Sequence, residues 1–244
     1  MRRAKPLLLA LILATACAPA RAIVGPSQDG DAYADRIVMV LARQGQRQSV
    51  CTGVALAPRL VLTAAHCLAG ASETLVAVRI EGRTAPIPVA QVARHPGYDP
   101  AAPRARRVSI DLGLVETSKP LPDGFRFAEV ATGAPAAGDP VLVAGFGLTR
   151  EGGPPSDGHA RLAALAVADP LSHVTLWARD PQAAGLGACH GDSGGPIYAA
   201  DGRLLAVVAW TNGAHGRGCG VITQGLLVAP TLGWIGATRA AWGR

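Results

Sequence analysis

Apolar residues recur in short runs, at 37–42, 54–56, 60–62, 75–80 and 87–92. After a proline-rich break they resume at 112–115, 141–146, 162–167, 174–177, 197–198, 204–210 and 225–228. Each run is short enough for a strand, and most are flanked by Gly, Pro, Asp or Asn, which predicts an antiparallel sandwich or barrel. Residues 121–139 read as a connection between two halves. The stretch 231–241, with Leu232, Trp234 and Ile235 available for packing, predicts a short helix. Two loops stand out: 95–107, with Pro96, Pro100, Pro103, Arg104, Arg106 and Arg107, and 149–159, with Gly152, Gly153, Pro154 and Pro155. No internal repeat is evident.

Composition sharpens this picture. The chain has 244 residues, 49% of them hydrophobic, so a sizeable core is within reach and disorder is not expected. Its 30 Gly and 19 Pro suit many strands and turns better than a helical bundle. Residues 1–22 stand apart: Arg2, Arg3 and Lys5 precede an apolar run over 7–16, and small residues follow to Ala22. That order predicts a secretory signal peptide, whose apolar run is too short to span a bilayer; a buried N-terminal helix is the alternative. No later stretch is long and apolar enough for a membrane span. The formal charge is +6, but the leader holds four of the 23 basic residues and no acid. The remainder therefore has 19 basic against 17 acidic residues, a formal +2. Net charge gives no support to a nucleic-acid partner.

Of five cysteines, Cys17 lies in the leader, leaving Cys51, Cys67, Cys189 and Cys219. An even number in an exported chain predicts two disulfides, with three pairings open on count alone. Metal binding is the alternative, but no close Cys-x-x-Cys pair supports zinc.

Three stretches carry candidate chemistry. In Gly191-Asp192-Ser193-Gly194-Gly195-Pro196 a serine hydroxyl sits on an uncrowded turn, where backbone N–H groups can be aimed at a developing oxyanion. Serine needs a base to become nucleophilic, and His66 in Leu62-Thr63-Ala64-Ala65-His66-Cys67 is the best histidine for that role. The base needs an orienting carboxylate. Asp111, between Val108-Ser109-Ile110 and Leu112-Gly113-Leu114, is costly in an apolar strand unless paired. Taken singly, these residues are equally a tight loop, a structural histidine and a strand-edge turn.

Together the stretches resemble the chymotrypsin–trypsin family of serine endopeptidases, over essentially all of residues 23–240. The motifs are Thr63-Ala64-Ala65-His66-Cys67, Asp111-Leu112-Gly113-Leu114 and Gly191 to Pro196. Their His–Asp–Ser order separates the chain from subtilisins and α/β-hydrolases. The resemblance implies an all-β fold of two packed six-stranded antiparallel barrels, the first over about 23–125 and the second over about 135–244. It implies a triad of His66, Asp111 and Ser193, an oxyanion hole from the Gly191 and Ser193 N–H groups, and disulfides Cys51–Cys67 and Cys189–Cys219. It implies protein or peptide substrates, no metal or organic cofactor, and a monomer.

The resemblance also locates finer features. A new N-terminus at Ile23, in Ile23-Val24-Gly25-Pro26, would pair with Asp192, although Pro26 replaces the family's second glycine. Ala20-Arg21-Ala22 fits signal cleavage just before Ile23. Lipidation of Cys17, in Leu13-Ala14-Thr15-Ala16-Cys17, is the alternative and would leave a lipid-anchored form. The trypsin pocket aspartate is replaced by Gly187; with Thr211 at the pocket mouth and Gly225 on its wall, the expected preference is for uncharged, small to medium apolar side chains. Ala209 replaces a serine that would support Asp111. That weakening keeps open a second class, an inactive homologue serving as a binding protein; an esterase activity would be a side reaction. The expected location is secreted or periplasmic, and the composition suggests a bacterial source.

Overall fold

The computed structural model describes residues 23–80, 82–105, 107–154, 158–214 and 218–243. The leader, Arg106 and Pro155 therefore lie outside the described residues. After a two-residue strand β1 (Gln28–Asp29), six strands follow: β2 (Ile37–Gln44), β3 (Arg47–Ala57), β4 (Leu60–Thr63), β5 (Glu73–Ile80), β6 (Arg83–Arg94) and β7 (Gly113–Thr117). They close into an antiparallel barrel in the order β2-β3-β4-β7-β6-β5. Six more, β8 (Pro140–Gly145), β9 (Arg161–Ala168), β10 (Thr175–Arg179), β11 (Pro196–Ala199), β12 (Leu204–Asn212) and β13 (Ile222–Leu227), form a second. Its order is β9-β10-β13-β12-β11-β8, closed by β8 pairing with β9, while β1 adds to the outer side of β9. A helical turn α1 (Ala102–Ala105) interrupts the loop before β7, and α2 (Leu232–Ala241) ends the chain.

The apolar runs became strands because alternate residues line closed interiors. Val38, Val40, Val61, Val76, Val78 and Val115 fill the first barrel, where β-branched side chains pack well on a pleated surface. Val141, Val143, Leu165, Val167, Leu176, Ile197 and Val208 fill the second, and Ile23 joins them with no exposure. A third cluster lies at the seam: Leu62, Leu112 and Leu114 of the first barrel meet Tyr198, Leu204, Val207 and Leu226 of the second, and Ile235 of α2 joins them. Each fully buried Leu contributes about 1.5–3 kcal/mol, so this seam fixes how the barrels meet and hence the site between them.

Candidate active site

β4 and β7 are neighbours, with Thr63 opposite Gly113. Just beyond β4, Ala64 is extended and a 3-10 turn over Ala65–Cys67 presents His66; just before β7 lies Asp111. The strand pairing thus brings together two residues far apart in sequence. Asp111 accepts from the His66 backbone N–H at 2.8 Å through Oδ1, and from His66 Nδ1 at 2.7 Å through Oδ2. An ionised carboxylate only accepts, so this contact holds the proton on Nδ1 and leaves the Nε2 lone pair free. Among the described residues both bonds that Asp111 receives come from His66, and Ala209, lining the same cleft, has no hydroxyl to add a third.

Ser193 comes from the second barrel, on the turn before β11. The Cys67 sulfur touches both partners, lying 3.7 Å from His66 Nε2 and 3.8 Å from the Ser193 carbonyl oxygen. His66, Asp111 and Ser193 line one cleft of about 1140 Å³ that continues past Trp210 to Trp177. Among the described residues the Ser193 hydroxyl makes no hydrogen bond to His66 Nε2. Such bonds are commonly long until substrate binds. The turn itself is tied down by Asp192 N to Cys189 O (3.1 Å), Gly194 N to Val208 O (2.7 Å) and Gly195 N to Asp192 O (2.9 Å). The N–H groups of Gly191 and Ser193, by contrast, have no protein acceptor among the described residues. Gly194, at φ +85°, has no alternative: a methyl group there would collide with Thr52 O and Thr63 Oγ1 of the first barrel.

Asp192 is fully buried and is not among the residues lining the cleft. Its Oδ1 accepts from Gly147 N at 2.7 Å and its Oδ2 from Cys189 N at 2.8 Å. Burial outweighs these two bonds and pushes the carboxyl pKa up to about 7. Ile23 is buried in the second barrel's core, where Val24 and Gly187 exchange backbone hydrogen bonds of 3.1 and 3.2 Å. Both carboxylate oxygens of Asp192 are thus bonded to backbone N–H groups, with no cation among the partners they show.

Gly187, Thr211 and Gly225 are the residues expected at the specificity pocket. Gly225 faces the barrel interior, where an added methyl would stand 2.6 Å from Ile197 Cδ1. The β12–β13 register places Gly225 opposite Val208 and sets Thr223 opposite Thr211. A bulge in β12 between Val208 and Trp210 sets this register. The Thr211 hydroxyl donates to Ala188 O at 2.7 Å, and Thr223 Oγ1 accepts from Ala188 N at 3.0 Å. An added methyl at Gly187 would lie 3.2 Å from the same Thr223 oxygen. Two threonines therefore crowd the segment that begins at Gly187, and no charge lies among them.

The structure joins Cys51 to Cys67, across the histidine turn, and Cys189 to Cys219, between the serine turn and the segment leading to β13. Cys51, His66 and Cys67 lie as close together as the ligands of a metal would, but both sulfurs are spent in the disulfide and offer no thiolate. Sequence reasoning missed Thr223 and Thr52. Both are ordinary strand threonines whose facing depends on register, and no local motif marks them.

A trypsin family model matches residues 25–232. Mouse Serine protease 56 is 34% identical over 204 residues, 70% of this chain, which spans 31% of that longer protein. A trypsin from Saccharopolyspora erythraea is 32% identical over 188 residues, 70% of this chain and 78% of the relative. Among solved structures, that of neuropsin, a serine protease expressed in the limbic system of mouse brain, superposes with a TM-score of 0.72 at 22% identity. The superposition covers 88% of this chain and 99% of neuropsin, and shows the shared fold. With the family model spanning most of its length and a relative above 30% identity matched over most of its own, the chain belongs to the trypsin family.

Proposed function

We propose that the chain is a serine endopeptidase that cleaves peptide bonds through an acyl-enzyme, with His66, Asp111 and Ser193 as its triad. The observation that carries this reading is the paired bond from His66 to Asp111 facing Ser193 across one cleft. Ser193 Oγ attacks the scissile carbonyl and its proton passes to His66 Nε2. The tetrahedral oxyanion is held by the unpaired N–H groups of Gly191 and Ser193. His66 then gives the proton to the leaving amine, and water repeats the sequence on the acyl-serine. Asp111 keeps the imidazole oriented and stabilises its cationic form.

Thr211 and Thr223 support a narrow, uncharged pocket, and hence small uncharged residues on the acyl side of the cut. The buried Asp192 supports an active form that begins at Ile23, whose ammonium would supply a cation for that carboxylate. The two disulfides fit release into an oxidising compartment. No helix among the described residues is long and apolar enough to cross a membrane. The test is a peptide panel with the chain starting at Ile23. Cleavage after Ala, Val or Thr in preference to Arg, Lys and Phe is expected, and dominant cleavage after Arg contradicts the pocket assignment. A second reading, a homologue that binds without cleaving, draws on the unformed Ser193–His66 bond and on Ala209 beside Asp111. It predicts no turnover of any peptide in the panel.

A further inference from the structure

Thr52, on β3 of the first barrel, is completely buried and is not among the residues lining the cleft. All four of its hydrogen-bonding functions are nevertheless engaged, and three of them reach the second barrel. Its N–H donates to the Ser193 carbonyl at 2.8 Å. Its hydroxyl donates to the Gly191 carbonyl at 2.9 Å, and the same oxygen accepts from Phe146 N, just past β8, at 3.0 Å. Its carbonyl accepts from the Thr63 hydroxyl at 2.8 Å, at the strand end that launches the histidine turn. One residue therefore connects the strand carrying His66, the turn carrying Ser193 and the segment from Phe146 to Gly147 that also holds Asp192.

We infer that the Thr52 hydroxyl is a positioning element for the oxyanion hole, an inference that rests on the peptidase reading above. The hydroxyl grips the carbonyl of Gly191, the residue whose N–H is one of the two oxyanion donors. Gly191 sits at φ +99°, so its own backbone does little to resist rotation. The carbonyl and N–H of Gly191 belong to adjacent peptide units joined at its Cα, so holding the carbonyl limits how far the N–H can turn from a developing oxyanion. Two acceptors 2.8 and 2.9 Å from Thr52, one on each side of Asp192, clamp the turn at both ends. The surrounding contacts leave little room for relaxation, because Gly194 packs directly on Thr52 O and Thr63 Oγ1. A fully satisfied buried network of this kind rigidifies what it connects.

Thr52→Val keeps the shape and removes only the hydroxyl, while Thr52→Ser keeps the hydroxyl and loses a methyl. With each chain starting at Ile23 and concentrations set by folded protein, kcat for Thr52→Val should fall about ten- to a hundredfold with KM nearly unchanged. Affinity for a peptide boronic acid, which forms a tetrahedral adduct on serine, should fall by a similar factor. Thr52→Ser should recover most of both. Wild-type kcat in Thr52→Val, an equal loss in Thr52→Ser, or a loss confined to KM would overturn the inference and leave the peptidase reading standing. Absence of turnover in the wild-type chain would instead overturn the peptidase reading, and this inference with it.

Discussion

At the scale of single residues, each side chain's role follows from what it is bonded to. Among the described residues Asp111 bonds only His66, so Asp111→Asn should hold the ring in the wrong tautomer and lower kcat by about 10⁴-fold, measured as initial rates on a matched peptide. Asp192 makes a pH prediction. Its folded pKa, about 7, lies above the ordinary 3.8, so between those values the folded chain binds the proton that the unfolded chain has released. Stability of a chain that retains residues before Ile23 should therefore fall as pH rises through that window and level off above it. The loss is on the order of 4 kcal/mol, read by urea melts at stepped pH. Asp192→Asn should remove that slope, and so should freeing the Ile23 ammonium. Residues at this scale were unevenly legible. His66, Asp111 and Ser193 each sit in a short motif whose chemistry can be argued locally. Thr52 cannot be found that way, because its four bonds go to residues 11 to 141 positions away.

Elements decide which way those residues face. The strand runs were legible because a closed barrel buries alternate residues, and valine-rich stretches between Gly and Pro breaks have few other uses. Strand lengths were less so: β3 begins at Arg47, four residues before its first buried position, because backbone pairing with β2 holds exposed polar residues as well as apolar ones. The facing of residues near Ser193 depends on register in the same way. A bulge of one residue at Ala209 sets Thr223 opposite Thr211 and Gly225 opposite Val208. Replacing both threonines by glycine should open the pocket. The ratio of kcat/KM for Phe over Ala at the cleaved residue should rise at least about tenfold, the worth of accommodating a large apolar side chain. An unchanged ratio would show that these threonines do not set the preference.

For the whole molecule, the site exists only because two barrels share a seam. Leu62 and Leu114 on one side and Tyr198 and Val207 on the other fix their relative position, and Thr52 extends that contact into the turn that carries Ser193. The disulfide Cys51–Cys67 closes a short loop, with a separation of 16, around the histidine turn. Replacing both cysteines by alanine should cost about 3 kcal/mol and lower the melting temperature by roughly 10 °C, measured by calorimetry. Two barrels and their seam are implied by the family motifs, but which threonine crosses the seam is a matter of three-dimensional register. In the proposed mechanism the imidazole and the hydroxyl, from opposite barrels, meet to make Ser193 nucleophilic, and a fluorophosphonate reports on that reactivity. Incubated with the chain starting at Ile23 and digested for mass spectrometry, it should leave one adduct, on Ser193, that disappears in His66→Ala. No adduct, or one whose rate is indifferent to His66, would contradict a catalytic pairing of these two residues.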